Sequence, residues 1–224
     1  PVELGPGIID LLADLTIGRE QTLTIMPGTR VRLAKDVSIF SRGKVLINGT
    51  SKQPVVFERL HQDDAWGGLA IQGKGASGST IKFAVFSGGT KITHPSIRYS
   101  GMVSVYNVDR IVIENSKFSR NVISDDTLHV VNSDIIISDA RFSKCYGDCI
   151  DYDYSRAEMI NISIDQAGND GIDFMGSVAT LNRLRIAGAG DKGLSVGEKS
   201  ELRLSSASIE RASTGIAIKD ASKV

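Results

Sequence analysis

The sequence predicts an all-β solenoid, on three observations. Helical periodicity is nearly absent, short apolar–polar–apolar triplets run the length of the chain, and in its second half one triplet returns at a fixed interval. The returning triplets are Leu128-His129-Val130, Ile150-Asp151-Tyr152, Ile172-Asp173-Phe174, Leu194-Ser195-Val196 and Ile216-Ala217-Ile218, each beginning 22 residues after the last. A period that short, with about three strands in it, is too small for a propeller blade and suits stacked coils, each burying its inward side chains against the next. The 224 residues then form one domain, 1–224, of roughly ten coils. At ~4.8 Å per stacked strand that is a rod roughly 45–50 Å long.

Taken in chain order, residues 8–15 are the only stretch with room for one or two helical turns. The triplets Leu23-Thr24-Ile25, Val45-Leu46-Ile47 and Leu69-Ala70-Ile71 follow at looser intervals of 22 and 24. Residues 87–101 exceed the coil length and read as a loop insertion. Such loops on solenoids wall grooves or are plain surface excursions, and His94, Arg98 and Tyr99 are the side chains it could offer to a ligand. After Ile111-Val112-Ile113 and Ile135-Ile136-Ile137, a second apolar column runs through Phe118, Phe142, Ile164, Ile186 and Ile209. Gly171, Gly193 and Gly215 precede the last three repeats at one offset. The chain opens at Pro1 without a charged-then-apolar leader and stops at Val224 without a polar tail, which reads as a piece cut from a larger protein.

Composition narrows the function. With 26 Lys+Arg against 26 Asp+Glu, the chain lacks the basic excess of a nucleic-acid binder. No apolar run approaches the ~18 residues of a transmembrane segment. Two cysteines make neither a disulfide scaffold nor a four-Cys zinc site. Cys145 and Cys149 are open to either reading, a local disulfide or a pair of thiols.

Several stretches resemble a known family. Leu23-Thr24-Ile25-Met26-Pro27-Gly28-Thr29-Arg30-Val31 resembles the opening coil of right-handed parallel β-helix proteins of the pectin-lyase-like superfamily. Gly43-Lys44-Val45-Leu46-Ile47-Asn48-Gly49-Thr50 and Trp66-Gly67-Gly68-Leu69 are similar to its following coils, and residues 190–198 to bacterial surface or exopolysaccharide-associated members. The resemblance implies a right-handed parallel β-helix and an extracellular, periplasmic or cell-surface protein that meets polysaccharide. It implies no single activity, because the superfamily holds lyases, hydrolases, epimerases, tailspikes and adhesins.

The repeat also arranges the polar residues. The middle residue of each triplet points outward, so His129, Asp151, Asp173, Ser195 and Ala217 form one column. Two residues before each triplet runs another: Asp126, Asp148, Asp170, Lys192 and Thr214. Asp148, Asp151, Asp170 and Asp173 thus make a two-by-two block, with His129 at one end and Lys192 at the other. Asp153 and Glu198 fall just after the triplets in what read as neighbouring rows, and Tyr146 and Tyr154 flank the block as candidate sugar platforms.

Stacked carboxylates repel by ~1 kcal/mol per pair in water, and more when desolvated. A Ca²⁺ held by the four aspartates, shared protons, or alternation with Lys192 and His129 would offset this. Aspartates that only form turns are the plainer alternative. The leading expectation is Ca²⁺-assisted β-elimination or epimerisation of an acidic polysaccharide, with Lys192 or His129 as base and Asp151 and Asp173 in catalysis. Tyr146, Asp153 and Glu198 would then meet the substrate. A glycoside hydrolase using two carboxylates, and a non-catalytic glycan-binding or structural rod, are the alternatives.

Overall fold

The computed structural model describes residues 1–93 and 97–224, and it is a parallel β-solenoid. Each coil contributes strands to three parallel faces. The first face stacks Val2–Leu4, Thr22–Ile25, Lys44–Asn48, Ser79–Lys82 and Ile111–Glu114, then continues in Asp134–Ser143, Arg156–Asp165, Val178–Gly197 and Glu201–Leu204. The third face begins with Leu15–Ile17 and Ile39–Ser41, and runs on through Leu69–Gln72, Gly101–Tyr106, Asp126–Val131, Asp148–Asp153 and Ile172–Met175. Among the described residues this gives about nine coils, one fewer than the period implies, because the coils between Val45 and Ile111 are longer than 22 residues.

The column inferred from the period is the observed register: Leu128, Ile150, Ile172, Leu194 and Ile216 are successive partners. Phe118, Phe142, Ile164, Ile186 and Ile209 are partners too. Earlier coils extend this second column with Phe57 and Phe86, whose rings continue onto Phe118 and Phe142 at centroid spacings of 4.5, 5.1 and 4.8 Å, nearly parallel. Trp66 is fully buried beside Phe57 and donates its indole N–H to Ser87 O. Gly171 and Gly193 recur for lack of room, since a Cβ on either would stand within 2.6 Å of the next coil's carbonyl oxygen, Gly193 O or Gly215 O.

Two sequence expectations are corrected here. Residues 8–15 contain no helix but the strand Gly7–Leu11 and the start of Leu15–Ile17, because their apolar residues pair with the next coil. Val45 and Leu69 are not equivalent: Val45 lies on the first face, while Leu69 pairs with Ile39 on the third.

A feature that the hydrophobic pattern does not display is a buried serine ladder. Ser133, Ser155, Ser177, Ser200 and Ser222 stand at one corner, and the backbone N–H of each of the first four donates to the hydroxyl of the next at 2.9–3.1 Å. The corner turns away from the β ladder, so these N–H groups would otherwise lack an acceptor. Ser155→Ala is expected to cost about 1–3 kcal/mol, because it strands the Ser133 N–H in a dry corner. Urea unfolding of the variant measures it.

Candidate functional site

The third face carries the polar columns. His129, Asp151, Asp173 and Ser195 are register partners along it, as are Asp126 and Asp148. The two columns differ in what their carboxylates do. Asp148 Oδ1 accepts from the Asp170 N–H and the Asn169 amide, both at 2.7 Å, and Asp170 Oδ1 accepts from the Lys192 N–H at 2.8 Å. These aspartates staple one coil to the next, so the turn-forming reading holds for one oxygen of each. Asp151 and Asp173 make no such bond among the described residues.

At the other end of the block His129 is clamped from both sides and is 8% exposed. Its Nδ1 faces the Ser100 hydroxyl at 2.5 Å and the Tyr106 hydroxyl at 2.8 Å, while Nε2 faces Asp153 Oδ2 at 3.1 Å and Asp151 Oδ2 at 3.5 Å. With its hydrogen on Nε2 the ring donates to Asp153, while Nδ1 faces two hydroxyls whose single protons are also within reach of Asp126 and of the Arg98 carbonyl. Asp126 sits behind, 3.7 Å from Nδ1, and accepts from Ser100 at 2.5 Å. Six aspartates therefore crowd one face: Asp126, Asp148, Asp151, Asp153, Asp170 and Asp173.

Burial drives the electrostatics. It pushes the Asp151 carboxyl up to about 9, and the charges of Asp126, Asp153, Asp173 and Asp148 add to the effect. Burial likewise raises Asp148 to about 7 and Asp126 to about 6 against their hydrogen bonds, and raises Asp170. It raises the Tyr106 phenol to about 12.

Lys192 is placed differently from the expectation. Its ammonium contacts Asp191 directly and Asp170 at 3.5 Å, and these partners hold its pKa above the ordinary lysine value. A base needs the opposite shift, and in this arrangement Lys192 stands as a counter-ion to Asp170 and Asp191. Alternation along a strand would send Asp191 away from Lys192, but the ladder is irregular between Ala189 and Lys192 and leaves the two side by side.

Glu198 is also misplaced by the sequence reading. Asp153 pairs with Met175 and Met175 with Gly197, so Glu198 lies one residue past the column and two rows away, exposed in the turn. Tyr146 is 62% exposed in the turn before Asp148, and Tyr154 is 61% exposed in the turn after Asp153. Cys145 and Cys149, flanking Tyr146, form a disulfide.

The segment read from the sequence as a loop insertion supplies the wall that bounds this site. Tyr99 and Ile92, from the segment between Ala84–Ser87 and Gly101–Tyr106, are buried on the outer side of Ala70. Rings then follow one another toward the site: Phe40 to Tyr99 at 6.3 Å, Tyr99 to Tyr106 at 5.1 Å, and Tyr106 edge-on to His129 at 5.3 Å. Arg98 contributes its carbonyl, which accepts from Tyr106. His94 lies outside the described residues. Tyr106 had a signal in the sequence, since Val103-Ser104-Val105-Tyr106 alternates and turns it outward. Ser100 had none.

Two groups on this face have the chemistry of a cation site. Asp148, Asp170 and Asp173 bring one ligand atom each within 4.8 Å of the others, and so do Asp126, His129 and Asp151. The hydroxyl of Ser195, partner of Asp173, is buried with no hydrogen-bond partner among the described residues. No helix among the described residues is long and apolar enough to cross a membrane.

Comparison with known families gives two matches. Residues 102–224 match a model described as a right handed beta helix region, and residues 7–107 match a pectate-lyase like beta helix domain. No curated protein and no solved structure matches the chain.

Proposed function

Since the chain belongs to the right-handed β-helix family and is pectate-lyase-like over its first half, we propose that it is an enzyme acting on an acidic polysaccharide by proton abstraction beside a uronate carboxylate, giving β-elimination or epimerisation. A carbohydrate-active role fits the family. The observation that carries the finer reading is the clamped His129, held between two hydroxyls and two carboxylates on an outer face.

In this reading His129 takes a proton at Nδ1 from the Tyr106 or Ser100 hydroxyl, and that hydroxyl takes the proton α to the sugar carboxylate. Asp153 fixes the imidazole through Nε2 and stabilises the imidazolium that forms. Asp151 retains a proton near neutrality and stands 3.5 Å from the same nitrogen, placed to supply a proton to a leaving oxygen. The wall of Tyr99 and Tyr106 excludes water from one side of the ring. The residues fit a calcium ion: Asp148, Asp170 and Asp173 are hard oxygen donors within 4.8 Å of one another, and the orphaned Ser195 hydroxyl lies beside them. When bound, such an ion would neutralise the charge that builds up on the substrate's carboxylate.

The test is incubation with polygalacturonate and with alginate, with and without calcium. Ultraviolet absorbance reads unsaturated uronate, reducing-end titration reads cleavage, and proton spectra read epimerised sugar. Calcium-dependent unsaturated product or inverted sugar is expected. Reducing ends without unsaturation would identify a hydrolase instead, a second reading favoured by the pairing of Asp151 with Asp173 on adjacent coils. No product in any arm would leave a glycan-binding rod. The Cys145–Cys149 disulfide supports an extracellular, periplasmic or cell-surface setting, since disulfides persist in oxidising compartments.

A further inference from the structure

The third face has a second charged region, opposite in sign and nearer the start of the chain. The turns that leave Leu15–Ile17, Ile39–Ser41 and Leu69–Gln72 carry Arg19, Arg42 and Lys74. These turns are packed tightly: a Cβ on Gly75 would stand 2.5 Å from Arg42 O and 2.8 Å from Arg19 O. Some cations near them on the early coils are matched, Arg30 by Glu58, Arg32 by Asp10 and Lys82 by Glu114. Here only Arg19 has an acidic neighbour, Glu20 at 3.9 Å, and both are well exposed. Among the described residues Arg42 and Lys74 make no ion pair.

A groove runs along this corner. Its first part, about 490 Å³, is lined by Arg19, Phe40, Arg42, Gln72 and Tyr99. The next, about 340 Å³, shares Arg19, Arg42 and Gln72 and adds Lys74. The third, about 390 Å³, shares Lys74 and continues past Asn107 and Asn132 to Tyr154, with Arg156 beside the carboxylates of Asp109 and Asp134. Asn132 donates to Asn107 at 2.8 Å, which sets the two amides in line along the groove. From the coil of Arg19 to that of Tyr154 there are five steps, or about 24 Å at ~4.8 Å per coil. Tyr154 directly follows Asp153, which faces His129 Nε2, so the last residue of the groove stands next in the chain to the acidic cluster.

We propose that this groove holds an extended polyanionic sugar chain, with Arg19, Arg42 and Lys74 gripping its acidic groups and Tyr154 stacking on a ring where the chain reaches Asp153. The proposal rests on the acidic-polysaccharide reading above and adds the surface that delivers the substrate. The charged aspartates of the cluster repel a polyanion, so a chain needs its charge compensated close by, and Arg19, Arg42 and Lys74 supply three cations along the groove, the last two without an ion pair among the described residues. The acidic group is a carboxylate or a sulfate, which the cations would bind alike.

Binding is measured by gel retardation of the full chain in EDTA, where turnover by a calcium-dependent route is suppressed. The probes are polygalacturonate for carboxylate, carrageenan for sulfate and dextran as the neutral polymer. The variant carrying Arg19→Ala, Arg42→Ala and Lys74→Ala is expected to lose about tenfold in affinity for at least one polyanion at low salt, from three exposed contacts. The difference should shrink at high salt. The arm that responds identifies the acidic group. Its melting curve controls for folding, and Arg42→Lys should recover part of the loss. Wild type that retains neither polyanion, that retains dextran equally, or that is matched by a folded triple variant overturns the proposal. Binding without product in the activity assay would instead overturn the enzyme reading and leave the groove standing. Product with unchanged binding in the triple variant would do the reverse.

Discussion

Stripped of divalent cations with EDTA, the protein is expected to melt at its highest temperature near pH 4–5 and to lose on the order of 10 °C by pH 9. Asp126, Asp148 and Asp151 have folded pKa values of about 6, about 7 and about 9, all above the ordinary carboxyl value of 3.8. Folding therefore takes up protons at these sites. Their contribution is complete below the unfolded value and is lost as the pH rises through 6, 7 and 9. One pK unit corresponds to about 1.4 kcal/mol, but the three groups share one cluster and relax together, so a total on the order of 5 kcal/mol is expected. The acid limit comes from carboxylates of the other kind, such as Asp10, held below its ordinary value by its hydrogen bond to Arg32. Calcium should flatten the alkaline limb, since an ion that binds only the folded state offsets the repulsion. Asp151→Asn should raise the melting temperature at pH 9. Scanning fluorimetry between pH 4 and 9, with EDTA or calcium, decides the matter; a curve that is flat or rises toward pH 9 would show that burial does not hold these protons.

The second large effect concerns activity. His129→Ala and Asp151→Asn are each expected to lower kcat/KM on the responding uronate polymer by about 10²–10⁴-fold, the usual worth of a positioned proton-transfer group. Tyr106→Phe removes one of the two hydroxyls at His129 Nδ1 and should lower kcat with little change in KM. Lys192→Met should cost less than about tenfold in rate, because the ammonium balances Asp170 and Asp191 rather than moving a proton. Initial rates by ultraviolet absorbance or sugar spectra measure all four. A larger loss in Lys192→Met than in His129→Ala would return the base to Lys192.

How far the sequence reaches can be read from particular residues. The constant interval that begins at Leu128 gives the register of the later coils directly, because those coils have nearly equal lengths. The same rule mispairs Val45 with Leu69, since the early coils carry turns of different lengths and the strand phase is lost. Asp151 and Asp173 are legible as a column because stacking converts sequence period into adjacency. Ser100 is not, for it comes from the aperiodic segment that crosses the face and reaches His129 only by tertiary folding. The contact of Lys192 with Asp191 was hidden by a local irregularity in the strand that period and alternation cannot express.

The serine ladder gives the stack a polarity. The N–H of Ser133 is satisfied by Ser155 of the following coil, that of Ser155 by Ser177, and so on. A coil emerging from the ribosome thus keeps one open donor at its corner until its successor lands and seals it. Addition from the earlier coils toward the later ones closes these donors one at a time, and a successor displaced by one residue would bring no hydroxyl to the waiting N–H. The ladder thus penalises any slip between successive coils, because a shifted neighbour leaves a buried donor unpaired.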